Sequence, residues 1–565
     1  MGSMRPTQYR HDLYVQDNEG VQVHDGSPSS LAWSPRSYLW AHPLYADCYE
    51  LTGRQAPHRH RLVPVNVLLS TESGPSSSGL RSVSVTRRKR VVGARPQRPW
   101  GQLAWLSAGR AGGLPGVRTQ RLARAWGSAA NLVQWPFLTS PYRMRHNEGM
   151  PKVFDYLLLG GGTSCAYAAV QIRSLDPNGT IALLGEESEP PYDRPPFTKY
   201  FLWNDEKNID DFHSKDESFY PQNQIELLLG KRAVSIDRSA KTVGTESGES
   251  FQYGKLLYAL GSEPRRLSIP GGDGAWVLRT AEDSARIRRH ASSGASAILI
   301  GAGYLGAELA CALVGRGCSV TLIEAGQRAW PLFPSETVSK SITGELQAKG
   351  VRLVAGASVT QIENGRTVFT EDGQRFEGDF IVAGIGAFPR TELAKASGLS
   401  VRKGVLAGAQ LHTEDLDVFV AGDAVEFPDS NLGDLYRAEH HLHAKATAEH
   451  AGRGMAGEVA EFREPPVFFS DVGDLSMNLI GYPERAARTW ALKNDDPSIV
   501  TEVYAFEDGR AAGLIDLRQD WKAQEPLLEV MKSLILSRAD LRRVEDLLSR
   551  PGFDLTSLSE FAGAE

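Results

Sequence analysis

Ala297-Ile298-Leu299-Ile300-Gly301-Ala302-Gly303-Tyr304-Leu305-Gly306 is the stretch that decides the fold. An apolar run, glycines spaced G-x-G-x-x-G and a helical segment from Ala307 to Val314 read as strand, tight turn and helix, the unit that binds a dinucleotide. Gly301 permits the turn, Gly303 lets backbone approach a pyrophosphate, and Gly306 lets the helix pack close to the strand. The next strand, Ser319 to Ile323, delivers Glu324, placed to bond a ribose diol and repel a 2′-phosphate. That favours NAD over NADP, with Arg328 close enough to keep NADPH open.

The pattern recurs 141 residues upstream. Val153-Phe154-Asp155-Tyr156-Leu157-Leu158-Leu159 is a buried-strand run, followed by Gly160-Gly161-Gly162-Thr163 and a helical Cys165 to Ala169. Here Gly160 makes the turn, Gly162 admits a pyrophosphate and the helix N-terminus faces its charge. Cys165 replaces the third glycine and reads as a packing residue. A second strand, Ile181 to Leu184, ends near Glu186, which lies 24 residues after Gly162 and can accept ribose hydroxyls. Two such folds most economically bind two dinucleotides, one donating hydride and the other receiving it.

At 565 residues the chain is too long for one domain of roughly 100–200 residues. With 41% hydrophobic and 23% charged residues, it is neither a disordered nor a fibrous protein in bulk. No run approaches the ~18 apolar residues of a membrane span, and the start lacks a secretory signal pattern. Cys48, Cys165, Cys311 and Cys318 show no CxxC or CxxxxC spacing, so redox chemistry must come from a cofactor. The net charge of −6 hides a split: residues 1–150 hold 19 Lys+Arg against 8 Asp+Glu, and residues 151–565 hold 43 against 60. The basic segment, Arg-rich and Ser-rich from Leu51 to Asn147, reads as a disordered extension or leader before a chain beginning at Met150. A transit-peptide reading would make the protein mitochondrial, and the plain reading is cytoplasmic. Arg87-Arg88-Lys89-Arg90 would suit an anionic partner, whereas the acidic body argues against nucleic acid.

Val418-Phe419-Val420-Ala421-Gly422-Asp423-Ala424 is a strand ending in Gly-Asp, where a carboxylate can meet the ribityl chain of a flavin. With the two fingerprints, it makes residues 153–565 resemble the FAD-dependent pyridine nucleotide-disulfide oxidoreductase superfamily. Pro191-Tyr192-Asp193-Arg194-Pro195-Pro196-Phe197-Thr198-Lys199 is similar to a segment shared by apoptosis-inducing factors and oxygenase-coupled ferredoxin reductases. Glu439-His440-His441-Leu442-His443-Ala444 and Phe468-Phe469-Ser470-Asp471-Val472-Gly473 resemble apoptosis-inducing factor more closely. The chain is therefore identified as apoptosis-inducing-factor-like, without the redox-active disulfide.

That resemblance implies an α/β protein with two Rossmann-like domains, for FAD and NAD, and an α+β C-terminal domain. The boundaries are 1–150 for the extension, 151–275 and 392–462 for the FAD-binding domain, 276–391 for the NAD-binding domain and 463–565 for the last. It implies FAD contacts at Gly160, Gly161, Gly162, Thr163, Ser164, Glu186, Glu187, Arg194, Lys199, Val234, Arg279, Asp423, His440 and His441. Nicotinamide contacts fall on Gly303, Tyr304, Leu305, Gly386 and Glu439, and the fingerprint itself adds Gly301, Gly306 and Glu324, which sits slightly earlier than the family's ribose-binding acid. Phe469 stands where the family has a Trp, keeping a stacking surface but losing the indole donor. Lys199 and Glu308 are implied to pair near the flavin, and Tyr304 to cover the stacked rings; these three carry the catalytic roles.

The task of such a site is alignment, with hydride passing from nicotinamide C4 to flavin N5. Electrons then leave to a quinone, to oxygen or to an iron–sulfur protein, from a monomer or homodimer. The leading expectation is an NADH oxidoreductase of apoptosis-inducing-factor type. The alternatives are a ferredoxin or rubredoxin reductase of an oxygenase system and a redox-sensing, partner-binding protein. No metal is expected, because His440 and His441 would point about 100° apart on a helix. The C-terminal region reads as a hairpin, Ile499 to Phe506 and Ala511 to Leu517 about Asp508-Gly509, then a helix pair over Leu527 to Leu548.

Overall fold

The computed structural model describes residues 151–561. The expectations for the basic extension and its targeting lie outside the described residues.

The strand Lys152–Leu159 is the seed of the first sheet, and Leu157, Leu158 and Leu159 are fully buried, as a central parallel strand requires. It pairs in parallel with Ile181–Leu184, Leu158 opposite Leu183, and with Ser250–Tyr258, Leu158 opposite Leu257. Ile225–Leu228 extends one side in parallel, and an antiparallel pair, Thr242–Thr245 and Ala233–Asp237, extends the other. The seventh strand, Val418–Val420, arrives from much later in the chain and lies parallel to Ser250–Tyr258. The helix Thr163–Leu175 packs on the helix His441–Met455 at a point where only glycine fits. A Cβ on Gly452 would lie 2.6 Å from the Ala168 carbonyl oxygen.

Between these segments the chain builds a second sheet of four parallel strands. In spatial order they are Arg352–Ala355, Ser319–Glu324, Ser296–Ile300 and Phe380–Ala383. The helix Tyr304–Gly315 covers it with Ala307, Leu309, Ala310, Ala312 and Leu313, all fully buried. Two sheets whose central strands run parallel, with crossover helices, are the two Rossmann-like units expected from the fingerprints.

The third sheet is antiparallel and five-stranded. Its hairpin joins Val500–Ala505 to Ala511–Arg518, Val503 opposite Leu514, and turns through Gly509 at φ +89. The helix Glu525–Leu536 packs Leu528, Met531, Leu534 and Ile535 against this sheet. The expected helix pair is one long helix followed by a 3-10 turn and a single-turn helix, Glu545–Leu548. Arg538 takes a left-handed φ of +57, and the Asp540 side chain accepts the Arg542 N–H, opening the 3-10 turn Leu541–Val544. The left-handed residue after the helix ends a run that periodicity alone would continue, and the Asp540 cap starts the next turn. Among the described residues, no helix is long and apolar enough to cross a membrane.

Candidate active site

A cleft of about 310 Å³ opens at the end of the first strand–turn–helix unit. Its floor is the turn. Gly160 has φ +141, and a Cβ there would lie 2.1 Å from the Ala259 carbonyl oxygen, whereas nothing lies within 4 Å of a Cβ on Gly162. The turn is thus closed against the sheet and open toward the cleft. Gly162 begins the helix with no side-chain cap, leaving backbone N–H groups and the positive end of the helix dipole to the cleft. Thr163 and Ser164 line it too, and Gly161 instead backs onto Gly185.

A neighbouring cavity of about 220 Å³ shares Gly160 and Leu260 with the cleft and is lined by Glu186, Lys231, Arg232, Ala233 and Arg390. Glu186 pairs there with Arg390. Glu187 stands one layer back, accepting the Tyr192 hydroxyl at 2.5 Å and Arg194 at 2.9 Å. It braces Arg194, which lines the cleft. Arg279 also lines it, 3.7 Å from Asp423, and burial with the nearby Arg194 lowers its pKa to about 10. Ser262 donates to Asp423 at 2.9 Å, a contact no motif announced. Val234 and Gly386 line neither cavity: Val234 is half exposed, its neighbour Ala233 taking the lining position, and Gly386 lies beside Arg265.

At the far end of the cleft Lys199 is buried between two carboxylates, Glu308 and Asp471, each 3.0 Å from its ammonium. Glu308 also accepts Thr198 Oγ1 at 2.5 Å and Ser470 Oγ at 2.6 Å. The Phe469 ring lies 5.1 Å from the same ammonium. Phe468, which carried no assigned role in the sequence, also lines the cleft and packs 4.5 Å from both the His440 and Tyr304 rings. Side chains two apart on a strand share a face, the one sequence signal that could have grouped Asp471 with Phe469.

The second glycine turn meets the cleft from the other side through Tyr304, Leu305 and Glu308. Gly301 has φ +97 with the Gly384 carbonyl 2.6 Å from a Cβ, and a Cβ on Gly303 would meet nothing within 4 Å. Tyr304 is 38% exposed and packs on Trp330 and Phe468. Glu324 is buried, and its two oxygens accept the N–H groups of Ala302 at 2.6 Å and Gly326 at 2.7 Å. The acid expected to read a ribose therefore also fixes its own turn.

Glu439, His440 and His441 all line the cleft. Burial lowers the His440 pKa to about 4, and Nδ1 is buried without a hydrogen-bond partner. His443 turns away into the core against Phe427, Tyr436 and Phe462, where burial lowers its pKa to about 3. Glu189, Asp210 and His213 form a separate loop cluster, their ligand atoms within 4.8 Å of one another.

Residues 154–449 match the family model for pyridine nucleotide-disulphide oxidoreductases. The chain belongs to that family. It is 33% identical over 368 residues to a rubredoxin-NAD(+) reductase of Pseudomonas putida, covering 63% of this chain and 93% of that protein. It is 30% identical over 332 residues to the ferredoxin–NAD(+) reductase component of the biphenyl dioxygenase system of Paraburkholderia xenovorans, covering 58% of this chain and 81% of that protein. The structure superposes on putidaredoxin reductase in its covalent complex with putidaredoxin with a TM-score of 0.68 at 25% identity, over 73% of this chain and 99% of that one.

As a pyridine nucleotide-disulphide oxidoreductase, the protein is an FAD-dependent NADH oxidoreductase. FAD suits the first turn, whose Gly162 leaves room for a pyrophosphate and whose cleft holds the unpartnered His440 nitrogen. These relatives are rubredoxin and ferredoxin reductases, so they support the expected alternative rather than the apoptosis-inducing-factor type. The reason is physical: Glu439, His440, His441, Phe468 and Phe469 are cleft lining, and motifs there report the flavin cleft and not the acceptor.

Proposed function

We infer that this chain oxidises NADH and passes the electrons to a small iron–sulfur protein, of the ferredoxin or rubredoxin class, serving an oxygenase. The observation that carries the reading is that, among the described residues, no dithiol lines the cleft. Cys165, Cys311 and Cys318 are free and buried, and none lines the cleft. Burial raises Cys165 and Cys311 to about 12, far from the thiolate an exchange reaction needs. Electrons therefore leave from the flavin itself to an external acceptor.

Bound FAD supplies a centre that takes two electrons as hydride and releases them singly. The chain's residues do the rest. The open turn at Gly162 and the helix behind it bind the pyrophosphate; Arg194 and Arg279 add positive charge along the cleft. Lys199, held by Glu308 and Asp471, fixes a charged group beside the reacting end. Tyr304, partly exposed and braced by Trp330 and Phe468, closes the cleft against water where the nicotinamide must lie.

The test is cytochrome c reduction by the FAD-loaded chain and NADH, with a ferredoxin or a rubredoxin added. A rate that rises at least about tenfold with carrier supports the reading. A rate independent of both carriers, with quinone or oxygen reduced faster, overturns it.

A further inference from the structure

A buried ammonium needs a counter-charge, and one carboxylate would leave the pair neutral. Lys199, 3% exposed along its side chain, has two. They are not equivalent. Glu308 is held independently of the lysine by Thr198, by Ser470 and by the Asp471 N–H at 3.3 Å, so it stays placed whatever Lys199 does. Asp471 comes from the strand Val467–Val472, two residues beyond Phe469, and its carboxylate takes the Lys199 ammonium at 3.0 Å. Burial by itself would lower the lysine's pKa; Asp471 and then Glu308 outweigh it and raise it, so the ammonium stays charged. The formal charge of the group is then −1. It lies in the cleft wall, where screening by water is weak, and Lys199, Glu308 and Phe469 all line that cleft.

We propose that Asp471 is a positioning residue that makes this ion group net negative and thereby lowers the reduction potential of the flavin in the cleft. The inference rests on the FAD reading above. Reduction adds an electron pair to the flavin ring, and a net negative neighbour disfavours that added charge where a neutral Lys–Glu pair would not. Asp471 is not part of the cleft lining and acts through the charge it sets against Lys199. Its effect is to make reduced flavin a stronger donor, which suits delivery to a carrier rather than storage.

The test compares FAD-loaded wild-type chain with Asp471→Asn, which keeps size and polarity but removes the charge, and Asp471→Glu, which keeps the charge. Each is equilibrated anaerobically with one reference dye, and the ratio of reduced to oxidised flavin is read from the visible spectrum. The expected ratio for Asp471→Asn is about tenfold above wild type, which is ~30 mV for a two-electron couple. Asp471→Glu is expected to stay within about twofold. Asp471→Ser, also uncharged, gives the same reading should the Asn variant not fold. An unchanged ratio in the uncharged variants, or an equal shift in Asp471→Glu, overturns the inference alone. Wild-type chain that takes up no FAD overturns the proposed function with it.

Discussion

The two glycine turns use one plan with different tolerances. Both cross beneath a neighbouring backbone carbonyl, that of Ala259 in the first and Gly384 in the second, and both leave their third-position neighbour, Gly162 or Gly303, open. They part at the next position. Cys165 in the first turn is buried without crowding the strand, whereas a Cβ on Gly306 would lie 2.0 Å from the Gly301 carbonyl oxygen. They part again at the acid: the Glu186 side chain is 37% exposed and paired with Arg390, while Glu324 is buried with both oxygens on backbone N–H groups. The same fingerprint thus places one acid free to exchange its ion pair for ribose hydroxyls, and another that the turn itself requires.

The largest effect expected from this comparison is at Gly160. Gly160→Ala combines a forbidden φ with a 2.1 Å clash against backbone and should cost about 3 kcal/mol or more and abolish FAD uptake. Gly301→Ala, at 2.6 Å, should cost less. Chemical denaturation and flavin absorbance check both, and equal losses would remove the distinction between the turns. Next is Glu324→Ala, expected to cost about 2 kcal/mol because it strips a charged acceptor from two backbone donors.

How much of this was legible from the chain alone follows the range of the interactions. The strands and turns at Leu157 to Gly162 and Ile298 to Gly303 are local patterns, and they stand where the sequence placed them. Glu324 was found as an acid after a strand, but its backbone partners were not, because Ala302 lies 22 residues earlier and no pattern encodes that bond. Lys199 and Asp471 are 272 residues apart, so Asp471 stood in a quoted motif without a role. Glu187 was placed among the cofactor contacts, yet its side chain turns to Tyr192 and Arg194. The acceptor was left open among a quinone, oxygen and an iron–sulfur protein because the residues consulted line the cleft, which reports the flavin and not its acceptor.

The helices backing the two turns should also differ in pH response. His443 lies in the helix that packs behind the first turn, and the helix Tyr304–Gly315 behind the second carries no histidine. The folded pKa of His443, about 3, lies below the ordinary histidine value of 6.5, so the unfolded chain takes up a proton that the folded chain refuses. Stability is therefore lost as pH falls from about 6.5 toward 3, by ~1.4 kcal/mol per unit from this group. Denaturation midpoints at several pH values should show His443→Leu flattening that slope; an unaltered slope would contradict the assignment. The smallest effect is at Glu186→Ala, under about 1 kcal/mol, since its ion pair is largely solvated. A loss matching that of Glu324→Ala would erase the contrast between the acids.

The central claim is that electrons enter from NADH and leave to an iron–sulfur carrier directly from the flavin. Anaerobic titration of the FAD-loaded chain with NADH, followed by rapid mixing with oxidised ferredoxin or rubredoxin, tests it most directly. The expected result is bleaching by about one equivalent of NADH and recovery of absorbance at least about a hundredfold faster with one carrier than on admitting air. Bleaching that fails with NADH, or recovery no faster with either carrier than with air, would contradict it.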